Sequence, residues 1–169
     1  KERLEKIPLV RRAEISRHLP HSLRIHVVER QPVAIWQYQG QLQLVDAEGV
    51  PLGKADLKEN RKLPLLVGQM EPRHIQAFFA FLQKTPELRG EMETASLVSE
   101  RRWNITLKQG IEIKLPEENL EMAASRLGEL VAKNMLRRAD IQVIDLRVPD
   151  RLFIRQQQPI VSEKGAQDT

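Results

Sequence analysis

Three of the four histidines, His18, His21 and His26, lie close together. Imidazoles hold a metal when they converge at about 2 Å from one ion. Here no cysteine joins them. His18 and His21 flank a turn and His26 falls on a strand pattern, so surface histidines in a hairpin are the expectation. Asp46 and Glu48 form an acidic pair. Paired carboxylates do acid–base work when burial drives their pKa values apart. The stretch Asp46-Ala47-Glu48-Gly49 instead predicts a wet turn tip of Asx type. Glu117 and Glu118 read as a helix start. Ser16, Ser22, Ser96 and Ser99 sit among strand residues, none in a nucleophile elbow. Gly40, Gly49, Gly53 and Gly68 are isolated, so no phosphate-cradling loop exists. The remaining chemistry belongs to arginines. Arg101 and Arg102 precede Trp103, where a guanidinium can offer charge-assisted bonds to an acidic partner. DLRVPDRLFIRQ (Asp145–Gln156) holds the last strand candidate, Arg151–Arg155. No later strand can pair with its open side, so that edge is either protected or used.

The elements that position these residues must come from 169 residues, one domain or slightly more. Aromatic content is 4%, so the core is built mainly of Leu, Ile and Val. No apolar run approaches 18 residues, which excludes a membrane helix within the chain. Residue 1 is Lys, and we expect an excised segment of a longer protein. Without cysteine, disulfides and thiol catalysis are excluded, but no compartment is singled out. Net charge is +4, from 27 basic and 23 acidic residues. The bases are spread in small clusters with few aromatics, unlike a nucleic-acid interface.

Leu4, Ile7 and Val10 suggest a short helix ending near Pro8. Alternation at Ala13 and Ile15, then at Leu23, Ile25 and Val27, predicts two strands joined at Leu19–Ser22, with Pro20 in the turn. Further strands are expected at Val33–Tyr38, Gln41–Val45, Val50–Leu52, Thr94–Ser99, Asn104–Leu107, Ile111–Leu115 and Ile141–Asp145. Leu63–Val67 is a short apolar run. Ile75, Phe78, Phe79 and Leu82 mark an amphipathic helix over Pro72–Lys84, with Pro86 and Gly90 at its exit. A second helix is expected over Glu117–Arg138, its acids first and its bases last, which complements the helix dipole. The order of elements argues for an α+β fold with two amphipathic helices and a mixed, mostly antiparallel, bent sheet.

Several stretches together resemble the bacterial cell-division family FtsQ, called DivIB in Gram-positives. LEKIPLVRRAEISRHLPHSLRIHVVERQPVAIW (Leu4–Trp36) is similar to the end of its POTRA domain and the crossing into its β domain. LVDAEGVPL (Leu44–Leu52) is similar to an Asp-x-x-Gly hairpin. RRWNITLKQGIEIKL (Arg101–Leu115) resembles a Trp-containing hairpin. VIDLRVPDRLFIR (Val143–Arg155) resembles a closing Asp-Leu-Arg strand pair. Each motif is weak alone; four in order over residues 2–155 are specific.

The resemblance implies a partial POTRA domain at 1–30 and an FtsQ-type β domain at 31–155; the polar composition of 156–169, with Pro159 and Gly165, predicts a flexible tail. It implies a non-enzymatic scaffold without cofactor or metal. That scaffold is anchored by one membrane helix absent from this chain and lies in the periplasm at the septum. It implies FtsB and FtsL as partners, with an FtsB segment added to the last strand. The residues expected there are Arg101, Arg102, Arg147, Val148, Arg151, Leu152, Phe153, Ile154 and Arg155. Val10, Arg11, Arg12 and Arg24 are expected as exposed recruitment residues of the POTRA part. Loss of the first POTRA elements should leave a sheet edge and a helix face uncovered. Pro149 has no N–H and shortens the usable edge to about five residues, so pairing further back, along Val143–Val148, stays open. The alternative reading is a POTRA-type periplasmic chaperone module that binds other client strands.

Overall fold

Alternating side chains on either side of Leu19–His21 form the first pair of strands. The structure is a computed structural model, and it describes residues 1–148 and 151–156. A short helix α1 (Glu2–Glu5) leads into β1 (Val10–His18), which pairs antiparallel with β2 (Ser22–Glu29). These two strands form a sheet of their own. Ile15 faces Ile25 across the ladder, and Ala13 faces Val27.

The remaining strands join in one nine-stranded sheet. They are β3 (Ala34–Tyr38), β4 (Gln41–Val45), β5 (Pro51–Lys54), β6 (Leu65–Val67), β7 (Met92–Val98), β8 (Arg102–Leu107), β9 (Glu112–Lys114), β10 (Ile141–Asp145) and β11 (Phe153–Gln156). Their spatial order is β11-β10-β9-β8-β7-β6-β3-β4-β5. Three contacts are parallel, β3 with β6, β6 with β7, and β9 with β10; the rest are antiparallel. The fold is α+β with a mixed, mostly antiparallel sheet, as the element order implied.

Two helices cover one face of this sheet. Helix α2 (Pro72–Lys84) starts where Pro72 needs no N–H partner, and Glu71 and His74 cap it reciprocally. It buries Ile75, Phe78, Phe79, Phe81 and Leu82. Phe78 stacks on Trp103 with ring centroids 4.2 Å apart, so Trp103 is a core residue of β8. Pro86 is not only an exit signal: it opens a further short helix, α3 (Pro86–Glu91). Among the described residues there are four helices and a 3₁₀ turn, Met135–Arg137; α3 and the 3₁₀ turn were not expected.

The last helix, α4, runs only from Leu120 to Ala132. Asn119 and Asn134 stand at its two ends with left-handed backbones, φ 59° and φ 54°. Asparagine tolerates that conformation and so stops the helix short of the expected Glu117–Arg138. Glu117 and Glu118 therefore precede it. Lys133 is its C-cap, where a positive charge suits the helix dipole, whereas Arg137 and Arg138 lie beyond it, Arg138 in a two-pronged ion pair with Asp140. Ala123, Ala124, Leu127 and Leu130 face the sheet. The hairpin turn before β9 holds Gly110 at φ +88°, the positive value expected there.

Candidate partner-binding edge

The strand that ends the sheet is β11, and its one neighbour among the described residues is β10. Phe153 lies opposite Asp145, Ile154 opposite Ile144 and Arg155 opposite Val143. Ile154 packs on the core, so alternation turns Phe153 and Arg155 to the other face. Phe153 is 49% exposed, and Val148 and Leu152 are exposed as well. Arg151 is exposed, its N–H donating to the Val148 carbonyl at 3.3 Å. The expected strand Arg151–Arg155 instead starts two residues later and ends one later, at Phe153–Gln156. Pro149 lies outside the described residues, as does the expected tail beyond Gln156.

The face opposite α2 and α4 is polar here. Register aligns Asn104, Lys114, Asp145 and Phe153 in one row across β8 to β11. Asn104 donates from Nδ2 to Glu112 at 3.0 Å, and Lys114 Nζ lies 3.4 Å from Glu112. The ladder continues through Leu115 N–H to Trp103 O and Leu146 N–H to Lys114 O, each 2.9 Å. It therefore runs on toward Arg102 and Arg147. Arg101, Arg102, Arg147, Val148 and the start of β11 all stand at this end of the sheet. Arg155 lies further along the strand.

The arginines there are held differently. Arg147 grips Asp145 from Nε at 2.9 and 3.0 Å and from Nη2 at 2.6 Å. These hydrogen bonds hold the Asp145 carboxyl below the usual carboxylate range, against the opposing effect of burial, and raise the guanidinium pKa of Arg147. Arg147 is thus pre-oriented just past the end of β10. Arg101 lies 3.8 Å from Glu117, in an exposed pair. Arg102 is half-buried opposite Val98.

A second polar cluster was missed at the level of sequence. Asp46 is 5% exposed, so the turn between β4 and β5 is not wet. Arg30, just past β2, donates to Asp46 at 2.5 Å and to Glu48 at 2.6 Å. Arg11 of β1 donates to Glu48 at 2.7 Å. The hydrogen bonds from Arg30, then from Arg11, hold the Glu48 carboxyl below its ordinary value. Asp46 Oδ1 also accepts from the N–H groups of Glu48 and Val50, which is the Asx turn expected. Gly49 has φ +77°, and a Cβ there would stand 2.7 Å from Pro72 Cα. Gln76 of α2 donates to the Glu48 carbonyl. The turn is therefore wedged between the hairpin and α2. Its signal was present in sequence as the Glu-Arg-x-Pro-Val-Ala and Asp-x-x-Gly motifs, without the contact that joins them.

The expected recruitment residues divide. Val10 is buried rather than exposed, because the hairpin folds back where Arg30 N–H meets the Leu9 carbonyl. Arg11 is committed to Glu48, and Arg12 lies 2.7 Å from Glu14. Arg24 is exposed. Among the described residues no group of three or more His, Cys, Asp or Glu side chains could hold a metal. Nor is any described helix long and apolar enough to cross a membrane.

The fold is an α+β sheet with a two-stranded hairpin beside it and, among the described residues, an unpaired edge at β11 near several arginines. Comparison gives the family. The model of the C-terminal part of cell-division protein FtsQ/DivIB matches residues 34–147, and the FtsQ-type POTRA domain model matches residues 1–30. Cell division protein FtsQ of Bradyrhizobium diazoefficiens is 32% identical over 92% of this chain and 45% of that protein. FtsQ of Bartonella bacilliformis is 35% identical over 89% of this chain and 49% of its own length. FtsQ of Caulobacter vibrioides is 31% identical over 99% of this chain and 56% of its own length. The chain spans about half the length of these relatives. A solved structure of the major extracytoplasmic domain of DivIB from Geobacillus stearothermophilus overlaps loosely, with TM-score 0.44 and 18% identity over 62% of this chain and 91% of that one. The chain belongs to the FtsQ/DivIB family of cell-division proteins, a family that is not enzymatic.

Proposed function

We propose that this chain is a periplasmic part of a divisome scaffold, held at the inner membrane and the septum by segments outside it. In this reading residues 1–30 are the end of a POTRA domain and the sheet from residue 31 on is the β domain. The scaffold links early and late division proteins by binding FtsB and FtsL, and an extended FtsB segment adds to β11. The observation that carries this reading is the position of β11: it is the last strand of a nine-stranded sheet, with its outer side unpaired among the described residues. Main-chain N–H and C=O groups there supply register to an incoming strand, and alternate side chains supply specificity. Phe153 and Leu152 offer apolar contact, while Arg101, Arg102 and Arg147 gather at the end where an acidic partner segment gains charge-assisted bonds. FtsB and FtsL are the partners that the resemblance implies.

The test is capture of the periplasmic segment of FtsB by this chain and by its Phe153→Lys and Arg147→Glu variants. Both variants, folded by circular dichroism, lose capture at least tenfold if the reading holds. Undiminished capture by both removes β11 as the docking strand.

A further inference from the structure

We infer that Glu48 locks a hinge: its carboxylate fixes the angle between the β1–β2 hairpin and the nine-stranded sheet, so that the two move as one body. The covalent link between them is short. Arg30 N–H donates to the Leu9 carbonyl at the base of the hairpin, and Val33 N–H donates to the Val45 carbonyl in the sheet. Only Gln31 and Pro32 lie between. Proline fixes its own φ and restricts the residue before it, yet the torsions left at these two residues still let the hairpin swing. A shared core does not stop that motion. Among the described residues, the hydrophobic cluster of the sheet begins at Val33, and the buried hairpin side chains, Val10 and Ala13, stand outside it.

Polar contacts span the joint instead, and they converge on one side chain. Glu48 Oε1 accepts from Arg11 Nε at 3.1 Å and from Nη2 at 2.7 Å, while Oε2 accepts from Arg30 Nη1 at 2.6 Å. Arg11 belongs to the start of β1, and Arg30 follows the end of β2. One carboxylate therefore holds both strands of the hairpin. Arg30 alone would be a pivot, because it lies beside the two-residue link. Arg11 adds a second attachment from the other strand. Two attachments define an orientation, where one defines only a position.

The carboxylate is itself presented from a fixed base. Asp46 Oδ1 accepts from the N–H groups of Glu48 and Val50 at 3.0 and 2.8 Å. Gln76 of α2 donates to the Glu48 carbonyl at 2.9 Å, and Gly49 lies against Pro72 with no room for a Cβ. The turn is thus fastened to α2, and α2 to the core through Phe78. Arg12 supplies the contrast. It lies 2.7 Å from Glu14 of its own strand, a pair that ties β1 only to itself. The hinge lock does not depend on strand addition at β11.

The test is the distance distribution between two spin labels, one on each side of the joint. The chain has no cysteine, so Ser16→Cys on β1 and Gln83→Cys on α2, both at exposed positions, provide the only labelling sites. Pulsed electron paramagnetic resonance should give one narrow distribution for the whole chain. Glu48→Gln removes the charge that both arginines share and should widen the distribution about twofold or more. Arg11→Gln should widen it by less, and Arg11→Lys, which keeps the charge, should restore most of the narrowness. Arg12→Gln makes the same change of charge one residue away and should leave the width as it is. Thermal unfolding checks that each variant is folded; Arg11 is exposed, so its variants keep the test open if Glu48→Gln unfolds. A broad distribution before any substitution at the joint overturns the inference. So does an unchanged width in Arg11→Gln and Glu48→Gln, which would make the Gln31-Pro32 link sufficient by itself. Equal widening in Arg12→Gln overturns it too, because charge on β1 rather than the pairing with Glu48 would then be the cause.

Discussion

The nine-stranded sheet has two outer strands, and they are built in opposite ways. β5 is four residues long, begins with Pro51, carries Gly53 at φ +129° and ends with an exposed Lys54. Its ladder with β4 shifts register between Leu44 and Val45. Proline, a bulge and a terminal lysine are the devices that keep a strand edge from recruiting another chain. β11 is equally short, but Phe153-Ile154-Arg155-Gln156 has no proline or glycine and exposes an aromatic ring. Its own ladder shift, between Ile141 and Val143, lies at the far end from Phe153. One edge of the same sheet is closed by its sequence, while the other, unpaired among the described residues, carries none of these devices.

That contrast can be broken in several places. The shared core comes first. Phe78 is fully buried on Trp103, and Phe78→Ala should cost about 3–5 kcal/mol. Chemical denaturation should show a single transition at lower denaturant; two separate transitions would mean that the two edges belong to separately folding halves. Next, Arg30→Ala leaves Asp46 buried beside β5 without its counter-charge, at a cost of about 3 kcal/mol. Denaturation should register that loss, while FtsB capture at β11 stays within about twofold of the parent.

Arg155→Pro then makes β11 resemble β5. It should lower FtsB capture about tenfold or more, measured by surface binding, with thermal unfolding nearly unchanged. In the reverse direction, Pro51→Val with Lys54→Val unblocks β5. Light scattering should then detect self-association at concentrations where the parent is monodisperse; an unchanged scattering profile would show that the bulge alone closes that edge.

Acidification produces the smallest effect. Glu48 near β5 and Asp145 near β11 both have carboxyl pKa values depressed by arginine hydrogen bonds. A depressed carboxylate stabilises the fold above its unfolded pKa and loses that contribution as pH falls through the folded value. Stability should therefore hold steady near neutrality and decline only below about pH 4, at both edges together. A decline beginning near pH 6 would point to histidine instead.

Much of this organisation was legible because it depends on local chemistry. Pro20 marks the hairpin turn, Gly110 the β8–β9 turn, and the Phe78 face of α2 declares itself by spacing. The open last strand was legible too, within two residues. What escaped depended on distant partners or on residues with two conformations. Asp46 looked wet because its counter-ion, Arg30, comes from before the sheet begins. Asn119 and Asn134 fit a helix as easily as they fit a left-handed stop, so α4 was drawn too long. Pro86 can end one helix or begin another, and here it separates two. The grip of Arg147 on Asp145, the last residue of β10, was likewise not legible.

The Phe78–Trp103 stack also has an optical consequence. The chain has only two tryptophans. Trp103 is sealed against an aromatic ring in β8, between the middle of the sheet and the β11 side. Trp36, in β3 on the β5 side of the middle, is half-buried and donates its indole N–H to the Gly68 carbonyl just past β6. Their emission should differ in wavelength, with the more enclosed indole to the blue. Replacing either with phenylalanine leaves a single intrinsic fluorophore that reports on one side of the sheet without any attached label.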